Sequence, residues 1–412
     1  MSTIRLIALI CVAQTLAQIG TFSVPALLPR FIDVWSLSNT DGGWITGVFY
    51  LGYVLSVPVL VALTDRMDPK RVYLFGVIMI TTAGLGYAWL ADGFWSALLF
   101  RAIWGVGWAG TYMPGLKALS DRVEGPQQSR AVAVHAACIG ISGALSFVIA
   151  GTIAEWYSWR WGVAVGGGGA AISFVLIALF LPSHPPTPHE GPRPALLDFR
   201  PVLRNRSAMA YSIGYCVHTL EMSALRNWVV AFLAFAAAYQ GASEDGGVSS
   251  WLAPTVIASC MGLVGVWASV TGNELSIRFG RRRLIMIVML VGMGVAAGIG
   301  FSATISYPLA AGLVLVYAIL IWADSSSLTA GAAGSAVPGQ RGATLAVHST
   351  LGYAGGFFGP LIVGLVLDLA GNGTGAATPF GWGMAFLSVA AIMAIGPLAM
   401  IILKPEGLVG DR

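Results

Sequence analysis

Twelve separate stretches of this chain run for about twenty or more residues with almost no charge, and no soluble fold can bury so many. A helix needs about 20 apolar residues to cross the hydrocarbon core of a bilayer. The stretches lie near 5–29, 43–64, 72–92, 95–117, 131–155 and 161–182, then near 207–238, 248–271, 284–304, 308–331, 344–370 and 380–403. Charged residues make up only 10% of the 412, against roughly 25% in an ordinary globular domain. Too few charges remain to clothe a soluble surface. The runs show no alternation of polar and apolar residues, so a barrel is excluded and an all-α membrane protein is expected. The first run is too long for a cleaved signal peptide. The four cysteines, Cys11, Cys138, Cys216 and Cys260, sit inside apolar runs without CxxC spacing and read as small core residues.

Lysine and arginine in the connecting segments set the orientation. With the N-terminus in the cytoplasm, eighteen of the 22 basic residues fall on the inner side, and only Arg30 and Arg160 fall on the outer. Both termini are therefore expected inside. The segment 183–206 carries six prolines and suits an extended linker between two sets of six spans. This gives the expected domains as 1–182, a cytoplasmic linker over 183–206, and 207–412. The halves also repeat at an offset near 213. His135 matches His348, Gly143 matches Gly356, Gly151 matches Gly364 and Glu155 matches Asp368. Trp161-Gly162 and Trp382-Gly383 open the next span in each half. Duplication accounts for this register, and membrane repeats commonly flank a binding site.

Two loops and one helix carry motifs. Leu63-Thr-Asp-Arg-Met-Asp-Pro-Lys-Arg71 follows the second span, and Gly272-Asn-Glu-Leu-Ser-Ile-Arg-Phe-Gly-Arg-Arg-Arg283 follows the eighth. The fourth span holds Arg101-Ala-Ile-Trp-Gly-Val-Gly-Trp-Ala-Gly110. These resemble the G-x-L-x-D-R-x-G-R-R loops and the R-x-x-x-G-x-G-x-x-G fourth helix of the major facilitator superfamily. The resemblance implies two pseudo-symmetric six-helix bundles with helices 1, 4, 7 and 10 lining a central cavity. It also implies a cytoplasmic gate that Asp65, Arg66 and Arg71 form in the first half, with Arg278 in the second. The sequence departs from the pattern at Val61, Asp68 and Ile277, so the second half lacks the expected acid. The Gly-Pro signature of drug/proton antiporters is absent from the fifth span. Glycines in the eleventh span, Gly352 to Gly364, are explained by close helix packing.

An ionised side chain in mid-membrane costs at least about 2.5–3.5 kcal/mol and normally faces a cavity or a partner. The seventh span holds His218, Glu221 and Arg226; the tenth holds Asp324; the fourth holds Arg101 above a row of Trp104, Trp108 and Tyr112; the first holds Gln14 and Gln18. All fall on the helices that the resemblance assigns to the cavity. Guanidinium groups suit carboxylate or phosphate, so Arg101 and Arg226, with Gln14, Gln18 and the aromatic row, are the expected substrate-binding residues. Glu221, His218 and Asp324 are the expected proton-coupling residues. An ion pair of Glu221 with Arg101 or Arg226 is the competing reading. His135 and His348 are expected to make structural hydrogen bonds.

The expected function is alternating-access transport of a small organic anion, coupled to protons, across a bacterial inner membrane. Proton-driven efflux of an amphipathic drug or metabolite is the alternative. No HExxH, GxSxG or P-loop pattern appears, and the formal GxGxxA at Val165–Ala171 opens no strand–turn–helix unit. The chain is thus expected to be no enzyme, to need no cofactor or metal, to bind no nucleic acid, and to work as a monomer.

Overall fold

A computed structural model describes residues 2–64, 66–123, 126–184, 199–241, 250–337, 340–371 and 377–407, without the side chains of 126–130, 132, 133 and 136. Every regular element among the described residues is helical. The chain opens with α1 (Thr3–Gln18), α2 (Ser23–Ala26) and α3 (Leu28–Val34), followed by α4 (Asn39–Leu63) and α5 (Pro69–Leu90). Next come α6 (Phe94–Ser120), α7 (Pro126–Trp156), α8 (Trp159–Phe180) and the short α9 (Arg200–Arg204). The second half holds α10 (Arg206–Tyr239), α11 (Pro254–Phe279), α12 (Arg281–Ile299), α13 (Tyr307–Ala323) and α14 (Ser325–Gly334). It ends with α15 (Arg341–Ala370), α16 (Pro379–Met393) and α17 (Ile395–Leu403).

Ten helical segments among the described residues are long and apolar enough to cross a membrane. The other two expected spans coincide with α1–α3 and α6. The first is broken after Gln18, where Gly20 and then Pro25 and Pro29 interrupt regular pairing, leaving α1 at 16 residues. Helix α6 has length to spare at 27 residues, but Arg101, Lys117 and its polar aromatics dilute its hydropathy.

The chain divides into two compact units. One comprises Met1–Leu27 and Val48–Leu196; the other comprises Leu28–Gly47 and Leu197–Arg412. In the first unit, the fourth-helix motif works through its glycines. A Cβ on Gly107 would stand 2.7 Å from the Gly76 carbonyl oxygen of α5, and one on Gly110 would stand 2.8 Å from the Gly76 Cα. The two backbones meet where no side chain fits. In the second unit, α10 is the buried hub. Gly355 and Gly359 of α15 lie on the Cys216 and Leu220 carbonyls of α10, and Trp228 Nε1 donates to the Pro360 carbonyl at 2.9 Å. The end of this unit where α4 starts and α15 finishes carries one dense contact. Asp368 accepts from the Asn39 N–H (3.0 Å), Asn39 Nδ2 (2.8 Å), the Thr40 N–H (2.7 Å) and Thr40 Oγ1 (2.5 Å), so it caps the start of α4 from α15.

Candidate functional site

In the first unit, α1, α6 and α7 bury an unusual concentration of polar side chains. Arg101 is 1% exposed and Gln14 and His135 are fully buried. The Arg101 guanidinium lies over the Phe49 ring at 4.6 Å and the Trp104 ring at 5.7 Å, and its Nη1 donates to the Thr21 carbonyl at 3.3 Å. Its Nε has no hydrogen-bond partner, and no carboxylate of the described residues pairs with it. Two rings and one carbonyl cannot neutralise a buried charge. The Arg101 guanidinium is thus buried with no carboxylate beside it among the described residues. Gln18 Nε2, Thr21 Oγ1, Trp104 Nε1 and both polar atoms of Gln14 are likewise buried without partners. The aromatic row divides its work. Trp104 packs beside Gly20 and Gly166, Trp108 packs on Phe49 (5.2 Å) and Tyr53 (4.8 Å), and Tyr112 stacks on His135 (5.4 Å).

In the second unit the expected span over 308–331 is present as one candidate span, Tyr307–Gly334, whose helix is interrupted at a single residue. Helix α13 stops at Ala323, and Asp324 is the junction from which α14 starts, its carbonyl accepting from the Leu328 N–H at 2.8 Å. Broken helices of this kind place backbone and side-chain groups at mid-membrane sites. Asp324 faces His218, one turn before Glu221 on α10. His218 Nδ1 and Asp324 Oδ1 are 2.8 Å apart, an ion-pair approach in which the ring N–H is not aligned as a hydrogen bond. The nearest polar atoms of His218, Glu221 and Asp324 all lie within 4.8 Å of one another, and all three residues are at most 2% exposed. Tyr317 on α13 donates its hydroxyl to Glu221 Oε2 at 3.2 Å. Arg226 lies elsewhere on α10, its guanidinium over the Trp322 ring at 4.8 Å. The structure thus joins His218, Glu221 and Asp324 and turns Arg226 toward an indole.

The repeated histidines differ. His348 lies 3.5 Å from Ser212 Oγ and 3.3 Å from Thr329 Oγ1 and stacks on Tyr215 at 4.1 Å, which meets the structural expectation. His135 does not: neither ring nitrogen has a hydrogen-bond partner among the described residues.

In the two motif segments, Asp65 lies outside the described residues, and Arg66, Arg71 and Arg278 are exposed. The buried polar groups there are others. Asp68 caps α5 through the Lys70 N–H (2.9 Å) and accepts from Ser183 Oγ (2.6 Å) and the His184 N–H (2.8 Å); Arg122 Nη2 stands 4.0 Å away. Burial alone would raise the Asp68 pKa, but these hydrogen bonds and the Arg122 charge hold it below the ordinary carboxylate value. In the second loop Arg281, 5% exposed, donates to Asn273 Oδ1 and to the Ser327 carbonyl, each at 3.2 Å. The order Asp68-Pro69 is a capping signal legible in the sequence. The choice of Arg281 over its neighbours leaves no such trace.

The sequence profile described as Major Facilitator Superfamily matches residues 10–254, more than half of the chain. The chain belongs to that superfamily. As a member it is a multi-pass membrane protein. Among curated proteins it is 24% identical over 238 residues to human protein spinster homolog 1, covering 55% of this chain and 45% of that protein. It is 26% identical over 237 residues to mouse protein spinster homolog 3, covering 55% and 46%. The matched region spans about half the length of these relatives. Among solved structures, a bacterial homolog of the human lysosomal transporter spinster, inward-facing and occupied, aligns with TM-score 0.77 at 16% identity, over 98% of this chain and 97% of that one. Nucleoside transporter NupG aligns with TM-score 0.74 at 14% identity, over 98% and 100%. These likenesses establish the all-α superfamily fold.

Proposed function

We propose that this superfamily member is a secondary active transporter that moves a small organic anion by alternating access, driven by protons. The observation that carries the reading is the buried group of His218, Glu221 and Asp324. Two ionised carboxylates within 4.8 Å would repel by at least about 3.5 kcal/mol at an effective dielectric of 20. One imidazole offsets only one of them. A proton delivered to Glu221 removes the excess charge, with Tyr317 Oη already at hydrogen-bond distance. Releasing it on the opposite side restores that charge and resets the carrier. Arg101 supports the anionic cargo, because its guanidinium is buried without a carboxylate among the described residues. Gln14, Gln18 and Trp104 add unpartnered polar atoms on the same unit. Arg226 of the second unit and the Trp108 and Tyr112 rings of the first are the remaining proposed substrate-binding residues. Asp65, Arg66, Arg71 and Arg278 are the proposed cytoplasmic gate. In this reading the protein works as a monomer in a bacterial inner membrane with both termini in the cytoplasm.

The test is Glu221→Gln in proteoliposomes with labelled hydrophilic organic anions. The variant should lose accumulation driven by a pH gradient while still exchanging internal for external anion. Accumulation equal to wild type removes Glu221 from coupling.

A further inference from the structure

Three consecutive arginines, Arg281, Arg282 and Arg283, open α12 in the second unit, and transport as proposed above uses none of them. Arg281 is committed to structure through Asn273 Oδ1 and the Ser327 carbonyl. Its two neighbours are not. Neither Arg282 nor Arg283 stands in an ion pair among the described residues, and Arg282 Nε is buried without a hydrogen-bond partner. The three arginines line an open cavity of about 510 Å³ together with Met286, Pro405 and Glu406. That volume falls within the range of about 300–1,000 Å³ typical of small-ligand sites. Three cations against one carboxylate leave the cavity with a net positive charge. Gly280 caps α12 without a side chain, so the first-turn N–H groups add to that charge.

The position of the cavity decides what fills it. Arg281 begins one membrane-spanning segment, Arg281–Thr304, and Leu403 ends another, Pro379–Leu403. The cavity therefore lies where the hydrocarbon core gives way to lipid headgroups. Helix α12 packs on α17, and each carries an outward apolar row that leads away from the cavity. On α12 the row is Ile287, Leu290 and Val291; on α17 it is Leu398, Ile401 and Ile402; all six are about half exposed or more. Arg283 precedes Ile287 by four residues and so shares its helix face. A basic head site continuous with two apolar rows has the polarity of a phospholipid, in the same order along the membrane.

We infer that this cavity is a binding site for an anionic phospholipid, with the phosphodiester on Arg282 and Arg283 and the acyl chains along α12 and α17. Guanidinium groups meet phosphate oxygens through paired N–H donors. Basic pockets beside transmembrane helices recognise anionic headgroups in this way. The excess positive charge selects a headgroup of net negative charge over a zwitterion, whose ammonium would face arginine. The site is independent of Arg101 and of the group around Glu221.

The probes are dioctanoyl phosphatidylglycerol, dioctanoyl phosphatidylcholine and glycerol 1-phosphate, titrated into the purified full-length protein in neutral detergent. The readout is the rise in melting temperature with added ligand. Wild type should reach half of its full rise at a phosphatidylglycerol concentration about tenfold or more below that for phosphatidylcholine, the worth of two arginines near a headgroup. Glycerol 1-phosphate, which lacks the chains, should act far more weakly than phosphatidylglycerol. The preference should vanish when Arg282→Gln and Arg283→Gln are combined and should persist in Arg160→Gln, an exposed arginine of the other unit. Equal response of wild type to the two lipids overturns the site. So does glycerol 1-phosphate matching phosphatidylglycerol, which makes the cavity a soluble-phosphate site. A preference that survives the double variant, or that Arg160→Gln also removes, assigns it to diffuse surface charge and overturns the site as well. The wild-type comparison decides even if a variant fails to fold.

Discussion

Replacing Asp68 with alanine should loosen the end of the first unit where α5 starts, by an amount the geometry allows to be worked out. The carboxylate is an N-cap for α5, a role usually worth about 1 kcal/mol. It also accepts from Ser183 Oγ and the His184 N–H at the chain segment leaving α8. Each is a bond to a charged acceptor, counted at about 1 kcal/mol, the typical net worth of one hydrogen bond. The Arg122 contact, at 4.0 Å, adds no more than about 1 kcal/mol. The sum is about 3 kcal/mol, or a fall in Tm of roughly 6–12 °C for a unit of this size. Tryptophan fluorescence melts in detergent read this directly. Because the folded fold holds the Asp68 pKa down, its contribution is complete above the ordinary carboxylate range and is lost as pH falls through the lowered value. The gap between wild type and Asp68→Ala should therefore be wide at neutral pH and close in acid. A gap under about one degree at neutral pH, or one that acid leaves unchanged, refutes the reasoning.

Two further outcomes follow from the contacts. Arg281→Ala should cost about 1–3 kcal/mol, because it strands Asn273 Oδ1 and the Ser327 carbonyl, whereas the exposed Arg278→Ala should stay within about 0.5 kcal/mol; paired thermal melts compare them. Asp368→Ala removes four accepted hydrogen bonds from the start of α4 and should lower stability by about 2–4 kcal/mol, more than the exposed repeat counterpart Glu155→Ala, in the same assay.

Much of this architecture is written in local sequence, and the rest is not. Apolar runs and loop arginines are properties of consecutive residues, so the membrane class and most spans can be read directly. The glycines of the fourth-helix motif can be read too, because a backbone contact tolerates no other residue at Gly107. The interruption at Asp324 is harder. An apolar run continues on its N-terminal side and serines on the other, and neither forbids helix. Only the packing of His218 against the junction explains why an acid stands there. The proposed gate is a similar case. The motif directs attention to Asp65, while the capping geometry of Asp68-Pro69 is what organises the described part of the loop. His135 and His348 are indistinguishable by position and differ only in what distant helices bring to them: hydroxyls from α10 and α14 in one case, and the unpaired Gln14 in the other. Hydrogen-bond satisfaction is a tertiary property, and no single-chain pattern encodes it.

The central claim is that water and ions reach the buried group on α10 during the transport cycle. The direct measurement is labelling of Glu221→Cys by a charged methanethiosulfonate reagent in proteoliposomes, with Cys11, Cys138, Cys216 and Cys260 replaced. The account predicts modification from the aqueous phase, at a rate that changes when a transported anion is added. A cysteine at 221 that stays unmodified from both sides of the membrane would contradict it.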